Sequence, residues 1–105
     1  MPVIKIESKA QLDDIISKNA KVAIDFTASW CGPCGMIGPV FEQLSDQHDD
    51  IVFVKVDVDE QSDISSAYKV RAMPTFKFIK NGSESGELVG ASKDKLTAKL
   101  VELKN

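Results

Sequence analysis

The chain has 105 residues, of which 43% are hydrophobic and 28% are charged, and this size and composition predict a single compact domain spanning residues 1–105. Its formal net charge is −3 and its lysines are scattered, so it lacks the basic surface of a nucleic-acid-binding protein. Because no apolar run approaches the ~20 residues of a membrane span and no signal peptide follows Met1, we expect a soluble protein of the cytoplasm.

The first segments of the chain predict a strand, a helix and a second strand. A short strand is expected over residues 3–6. Ser8 then begins a helix with Gln11 three residues later, the spacing of a capping box, and this helix should end near Asn19. Residues 21–27 form the second strand, and their apolar density indicates a sheet that is covered on both faces.

A long helix over residues 31–47 and a third strand over residues 51–58 follow. Pro39 lies inside the helix, where it cannot donate a backbone hydrogen bond. In the strand, alternate valines face one way, and the other face carries Lys55, a polar group within a core-like strand. The apolar positions expected on the helix are Met36, Ile37, Val40, Phe41 and Leu44.

A short helix and a fourth strand come next. The helix is predicted over residues 62–68, and residues 75–80 alternate as a clear strand. The side chains that the short helix is expected to bury are Ile64, Ala67 and Tyr68.

The chain ends with a hairpin and a final helix. Asn81-Gly82 is a hairpin signal, and the polar residues 83–86 are expected to lengthen its loop before a strand over residues 87–89. Ser92 caps an amphipathic helix. Its inward residues are predicted to be Leu96, Leu100, Val101 and Leu103.

These elements run in the order strand, helix, strand, helix, strand, helix, strand, strand, helix. That order describes a mixed sheet with helices on both faces. The sequence therefore predicts the α/β class, with a mixed central sheet of about five strands flanked by four helices in three layers. The turn at Cys31 falls at the carboxyl end of a strand, where open α/β sheets place their sites.

The motif WCGPC at residues 30–34 contains the only two cysteines of the chain. In the first turn of a helix, side chains three positions apart have their Cβ atoms about 5 to 6 Å apart, and a disulfide requires about 3.5 to 4.5 Å. Cys31 and Cys34 can therefore form a disulfide with a small adjustment, and this bond can reopen. We interpret the pair as a redox couple, since a reducing compartment disfavours a structural disulfide.

Two other interpretations of the cysteine pair are open on local grounds. A zinc site needs about four ligands, and His48 is the one other soft candidate. A structural bridge across so short a loop constrains the unfolded chain little. We expect His48, which lies in a polar stretch, to be a solvated residue at a helix end without a catalytic role.

Asp25 is a carboxylate inside an apolar strand, and its position allows two interpretations. In a half-exposed strand it faces water, whereas in a covered strand burial raises its pKa and fits it to exchange protons near neutral pH. Lys55 is then its partner across the sheet or, alternatively, a surface lysine whose charged end reaches water. The residues alone leave these alternatives open.

One further set of residues is specific in its types and spacings, and it comprises the WCGPC motif, Asp25 and Phe26, Pro39, Lys55, Met73-Pro74-Thr75 and Val89-Gly90. Through this set, the sequence resembles the thioredoxin family over nearly its whole length. This resemblance implies a thioredoxin-like fold. One position departs from the family pattern, because many thioredoxins carry a basic residue after the second cysteine, where this chain has Gly35, with another glycine at Gly38.

The resemblance also assigns roles to individual residues. It implies that Cys31 is the nucleophile and that Cys34 is the resolving thiol. It makes Asp25 a buried proton carrier for Cys34 and Pro74 a cis proline that faces the cysteines, and the strand pattern described above offers Lys55 as the partner of Asp25. The surface that would contact client proteins is formed by Trp30, Gly32, Pro33, Met73, Pro74, Thr75 and Gly90.

The activity that follows is the reduction of disulfides in client proteins, with the Cys31–Cys34 disulfide as the only internal cofactor and no metal. No dinucleotide or flavin motif is visible in the sequence, so a separate reductase must supply the electrons, and the resemblance implies thioredoxin reductase, an NADPH-dependent flavoprotein. The implied clients are peroxiredoxins, methionine sulfoxide reductases and ribonucleotide reductase, and a monomer is expected. The alternatives are a redox-independent protein-binding subunit and a disulfide-forming enzyme on the same fold.

Overall fold

The computed structural model describes residues 2–105. Within this range, one sheet has the strand order β1-β3-β2-β4-β5, and no helix combines the length and apolar character needed to cross a membrane. The predicted α/β class, with a mixed five-stranded sheet and four helices, is confirmed. The elements are β1 Ile4–Lys5, α1 Lys9–Lys18, β2 Lys21–Thr27, α2 Gly32–Ser45, β3 Val52–Asp57, α3 Ser62–Ala67, β4 Thr75–Lys80, β5 Ser83–Val89 and α4 Lys93–Lys104.

Strand β2 is the centre of the sheet. It pairs in parallel with β3 and antiparallel with β4, and its five inner residues are all buried. Because side chains alternate along a strand, Val22, Ile24 and Phe26 enter the core on one face. Ala23 enters the core on the other face, and Asp25 points to that side as well. The predicted bounds of this strand and its coverage on both faces are confirmed.

Each face of the sheet is covered by two helices. α2 and α4 pack on the face that Ala23 enters, and α1 and α3 pack on the opposite face. The three-layer arrangement is therefore present, and Asp25 lies on the side of the sheet that α2 covers. The helical residues of the first core are Ile37, Phe41, Leu44, Leu96, Leu100 and Leu103, and the buried helical residues of the second are Leu12 and Ile64.

Serine side chains cap the N-termini of α1 and α4. Ser8 Oγ accepts a hydrogen bond from the backbone N–H of Gln11 at 3.1 Å, and Ser92 Oγ accepts one from that of Lys95 at 3.2 Å. Gln11 Oε1 in turn accepts from the backbone N–H of Glu7 at 2.6 Å. Both predicted caps are confirmed, and each such cap stabilises the fold by about 0.5 to 2 kcal/mol.

The buried stripe of α2 differs from the prediction at one residue. Ile37, Phe41 and Leu44 are buried and Val40 is partly buried, as predicted, but Met36 is 78% exposed. An α-helix has 3.6 residues per turn, so consecutive side chains point in directions about 100° apart. Met36 therefore points to solvent when Ile37 enters the core.

Two further apolar residues that were predicted to be buried are exposed. Ala67 is exposed at the end of α3, a helix of six residues in which only Ile64 is buried. Tyr68 follows that helix and is partly buried, with its ring centroid 5.7 Å from that of Phe26. Val101 is 48% exposed, because it follows the fully buried Leu100 and its side chain points about 100° away from that direction.

The turn between β4 and β5 is shorter than predicted. Asn81 and Gly82 alone form it, with φ angles of 52° and 86°, and Lys80 pairs with Ser83. Positive φ at both central residues is typical of a type I′ turn. The expected longer loop is therefore wrong, because residues 83–86 belong to an exposed edge strand whose polar sequence resembles a loop.

His48 is buried, which corrects the expectation of a solvated residue. Only 8% of it is exposed, and its ring stacks on that of Phe53 at a centroid distance of 6.4 Å. Burial lowers the pKa of His48, and the charge of Lys104 lowers it further while Asp50 opposes the shift. These shifts favour the neutral imidazole, whose ring packs against Phe53.

Candidate redox-active site

Cys31 and Cys34 are joined by a disulfide just beyond the carboxyl end of β2. Their Cα atoms are 5.3 Å apart, within the usual range for disulfides. Cys31 is the N-cap of α2, and its Sγ accepts a hydrogen bond from the backbone N–H of Cys34 at 3.2 Å. Pro33 lies in the first helical turn, where a backbone N–H has no acceptor within the helix, so proline costs no hydrogen bond there. The disulfide therefore closes across the first turn of the helix.

The two sulfurs have different surroundings. Cys31 lies at the N-terminus of α2, where unpaired backbone N–H groups and the positive end of the helix dipole stabilise negative charge. The N–H of Cys34, which donates to Cys31 Sγ in the disulfide form, is placed to donate to a Cys31 thiolate as well. Cys31 is also more exposed than Cys34, so the geometry favours Cys31 for contact with another molecule.

Asp25 lies beneath α2 and is only 3% exposed, so the interpretation of a water-facing residue is wrong. Burial raises the pKa of Asp25 to about 7, and the positive charge of Lys55 opposes that shift. Lys55 is the direct neighbour of Asp25 in the parallel pairing of β2 and β3, and its side chain is partly buried. The Asp25 carboxyl group is therefore only partly ionised at neutral pH, and Lys55 is the positive charge that acts on it.

Trp30 precedes the disulfide and is 68% exposed, although it is the largest apolar side chain of the site. Its Nε1–H donates a hydrogen bond to Asp59 Oδ2 at 2.8 Å. Asp57 Oδ1 accepts the backbone N–H groups of Asp59 at 2.9 Å and Glu60 at 3.1 Å, and this holds the loop after β3 in place. Sequence reasoning missed Asp59. The need of an indole N–H for a partner could have prompted a search, but the partner is 29 positions away.

The Met73–Pro74 peptide bond is cis, as the resemblance implies. Met73 packs against the cluster of Ala28, Cys31 and Cys34. The carbonyl of Pro74 accepts the backbone N–H of Gly90 at 2.9 Å. The structure thus brings Met73 to the side of the cysteines and joins Pro74 to the end of β5.

The positions occupied by glycine at the site differ in whether the backbone conformation requires glycine. Gly90 has a φ of 108°, a left-handed conformation that favours glycine, whereas Gly32 and Gly35 have ordinary φ angles. A Cβ atom at Gly35 would meet no atom within 4 Å, so a side chain fits there. Gly32 and Pro33 are exposed in the first turn of α2.

Among residues 2–105, no three His, Cys, Asp or Glu side chains converge in a way that could hold a metal ion. His48, the soft ligand considered above, lies in the core against Phe53.

The comparisons with known proteins agree with this geometry. The family model of thioredoxin matches residues 3–102. Thioredoxin of Oryctolagus cuniculus is 45% identical over 103 residues, which cover 96% of this chain and 98% of that protein. The crystal structure of Malassezia sympodialis thioredoxin has a TM-score of 0.93 at 48% identity and covers 98% of this chain and 91% of its own.

A third similar chain comes from a solved structure on the thiol resolving mechanism of a yeast mitochondrial 1-Cys peroxiredoxin via glutathione and thioredoxin systems. It has a TM-score of 0.92 at 38% identity and covers 96% of this chain and 95% of its own. With the disulfide at the start of α2, these similarities lead to one conclusion. The chain belongs to the thioredoxin family and is a thiol–disulfide oxidoreductase that acts as a protein-disulfide reductase.

Proposed function

We propose that Cys31 is the attacking thiol and Cys34 the resolving thiol in the reduction of client disulfides. The observation that carries this assignment is the position of Cys31 as the N-cap of α2, where its sulfur accepts a backbone N–H and is the more exposed of the two. Both features favour a reactive thiolate that a client can reach.

In the first step, the Cys31 thiolate attacks one sulfur of a client disulfide. A bond forms between Cys31 and that sulfur, the client S–S bond breaks, and the second client sulfur leaves as a thiolate that takes up a proton. Cys34 then loses its proton and attacks Cys31 Sγ. The mixed disulfide breaks, the client leaves with two thiols, and two electrons have passed from the cysteine pair to the client.

We propose that Asp25 accepts the proton that Cys34 loses before it attacks Cys31. A carboxyl group whose pKa is about 7 is partly ionised at neutral pH, so it can accept a proton in one step and return it in another. Lys55, its neighbour on β3, opposes the effect of burial and keeps the pKa of Asp25 close to neutrality. We treat Lys55 as a positioning residue that acts through Asp25.

Clients are proposed to dock on the surface around the disulfide. The large exposed ring of Trp30 supplies apolar area there, and the hydrogen bond to Asp59 holds it in place. The left-handed backbone of Gly90 lacks a side chain and allows close approach of an extended segment. The proposed surface comprises the exposed Trp30, Gly32 and Pro33 and the partly exposed Met73 and Gly90. Pro74 and Thr75, which were also predicted to contribute, are buried and border this surface only through the chain.

The proposed electron donor is thioredoxin reductase, an NADPH-dependent flavoprotein, because the chain itself offers a redox disulfide and no nucleotide motif. The proposed clients are peroxiredoxins, methionine sulfoxide reductases and ribonucleotide reductase, and the similarity to the chain in the peroxiredoxin-related structure supports the first of these. We further propose that residues 1–105 act as one monomeric domain in the cytoplasm.

Trapping of client proteins tests the order of the two cysteines. Cys34→Ser should accumulate covalent mixed disulfides with clients, because the attack proceeds and resolution fails. Cys31→Ser should accumulate none. Non-reducing gel electrophoresis of each variant after incubation with a disulfide-containing protein measures this, and equal trapping by both variants would contradict the assignment.

A further inference from the structure

A groove runs from the surface of α2 down to the redox site. Its volume is about 270 Å³, and it lies between α2 and the strands β2 and β3. Its walls include Asp25 on β2, Lys55 on β3 and Cys34 on α2. The groove therefore connects the resolving cysteine, the buried carboxyl group and the protein surface.

Two glycines of α2, Gly35 and Gly38, form part of the rim of this groove. They are three positions apart and so lie on the same side of the helix. A Cβ atom built at either position meets no atom within 4 Å. Side chains at these two positions would occupy the entrance, so the glycines keep it wide.

Asp25 is the polar group at the inner end of the groove. Its carboxyl group is 3% exposed, and Oδ1 has no hydrogen-bond partner among the residues that the structure describes. A buried polar atom without a partner is costly to the fold, and it is satisfied when water or a small polar molecule reaches it. The other ionisable groups that face this space are Lys55 from β3 and Glu42 and the reduced Cys34 from α2.

The groove is separate from the proposed client surface. It shares no residue with the set Trp30, Gly32, Pro33, Met73, Pro74, Thr75 and Gly90. When a client is bound to Cys31 and covers that surface, the groove still opens on the side of α2. A proton held by Asp25 thus has a path to solvent that the client does not block.

We propose that the groove with Gly35 and Gly38 at its rim is a second entrance to the redox site, through which water and small carboxylic acids reach Asp25 independently of the client surface. Drug-sized ligands occupy pockets of about 300 to 1,000 Å³. A groove of about 270 Å³ is smaller than these pockets and has room for water and for molecules of the size of formate or acetate. The consequence for catalysis rests on the proposed role of Asp25 as proton carrier, whereas the accessibility of the groove does not.

Accessibility is tested without redox chemistry by labelling a single thiol at position 25. In a background of Cys31→Ser and Cys34→Ser, the substitution Asp25→Cys places this thiol at the inner end of the groove. Methyl methanethiosulfonate should label it several-fold faster than a bulky methanethiosulfonate reagent. Adding Gly38→Leu should slow labelling by the small reagent, whereas Val101→Leu on the exposed side of α4 should leave it unchanged.

Labelling that is equally fast with both reagents, or that Gly38→Leu does not slow, would overturn the second entrance. A melting curve of each variant confirms that it is folded under the labelling conditions. These readouts do not depend on Asp25 being a proton carrier, so the second entrance and the proton-carrier role of Asp25 can be disproved separately.

The catalytic consequence is tested by chemical rescue. Asp25→Ala should slow the resolving step, and formate should restore the rate by entering the space that the carboxylate leaves, whereas bulkier pivalate should not. In Asp25→Ala with Gly38→Leu, the rescue should be lost. If Asp25→Ala resolves at the parental rate, the proposed proton role is wrong. If it is slow and formate restores nothing, the entrance does not serve proton transfer.

Discussion

The Asp25 carboxyl group has an ordinary pKa of 3.8 in an unfolded chain and a pKa of about 7 in the folded protein. Burial is the main cause, and Lys55 limits the effect. Between these two values the folded state holds a proton that the unfolded state has lost. The free energy of unfolding must therefore fall as the pH rises through this range, and Asp25 contributes no further pH dependence above it.

Asp25→Asn removes this titration and shows how much it lowers the free energy of unfolding as the pH rises. Each pH unit between the two pKa values corresponds to ~1.36 kcal/mol, so the stability of the variant relative to the parent should grow by about 4 kcal/mol between pH 4 and pH 8. Denaturant unfolding of both oxidised proteins at a series of pH values measures the difference. Asp49→Asn, at an exposed position, is the matched control and should follow the parent. Parallel pH profiles for the parent and Asp25→Asn would contradict the raised pKa.

At the scale of secondary structure, α2 combines a reactive N-terminus with weak helix formers. Gly35 and Gly38 are both inside the helix, and Pro39 removes one backbone donor from it. Gly35 has room for a side chain and no positive φ, so neither packing nor backbone conformation requires glycine there. One substitution at Gly35 can therefore remove the cost that glycine imposes on helix stability and also add a positive charge near Cys31.

Gly35→Lys should stabilise the fold by up to about 1 kcal/mol, the difference between glycine and a good helix former. The added charge should also lower the pKa of the Cys31 thiol, because a nearby positive charge favours the thiolate. Gly35→Gln separates the two effects, since it restores helix propensity without charge. Melting curves and the pH dependence of Cys31 alkylation in the reduced proteins measure them. An unchanged thiol pKa in Gly35→Lys would refute the charge argument.

Elements with strong local signals were predictable from the sequence. Ser8 and Ser92 could be identified as caps because a hydroxyl before an apolar helical stripe satisfies orphan backbone donors, and the regular apolar pattern of β2 and β4 gave their bounds. Residues 83–86 of β5 were predicted as loop, because an exposed edge strand lacks the alternation of apolar and polar residues that marks a half-buried strand. Its turn could have been read from Asn81-Gly82 alone.

The burial of individual polar residues was less predictable, because it depends on distant packing. The exposure of Asp25 is decided by the helix above it, and that of His48 by its contact with Phe53. Lys77 was not singled out, yet it is buried and pairs with Glu84 and Glu87 of the neighbouring strand, each at 3.1 Å. Burial acts to lower the pKa of Lys77, but the bonds to these carboxylates outweigh it and raise the pKa.

For the molecule as a whole, stability comes from the two cores on either side of β2 rather than from the disulfide. The Cys31–Cys34 bond closes a loop of only four residues within one helical turn and crosses no boundary between the layers. The fold must also survive every catalytic cycle, in which this bond opens and closes. A short loop is suited to that demand, because its entropic effect on the unfolded chain is small.

Reduction of the disulfide should therefore lower the free energy of unfolding by only about 2 kcal/mol, as the loop-entropy relation gives for so short a loop. The reduced protein should remain folded, with an unchanged far-UV spectrum. Denaturant titrations of the oxidised and reduced forms measure the difference, and the variant with Cys31→Ser and Cys34→Ser should match the reduced protein. A reduced form that unfolds without denaturant would show that the bond is structural.

The chain contains one tryptophan, and the structure places it in solvent beside the disulfide. Unfolding cannot expose an indole that is already exposed, so the emission of Trp30 is a poor probe of global stability. A neighbouring disulfide quenches indole fluorescence, and a client on the proposed docking surface would shield the ring from water. The intrinsic fluorescence of this protein therefore reports on its oxidation state and on occupancy of the surface around Trp30, and both can be followed in unlabelled protein in real time.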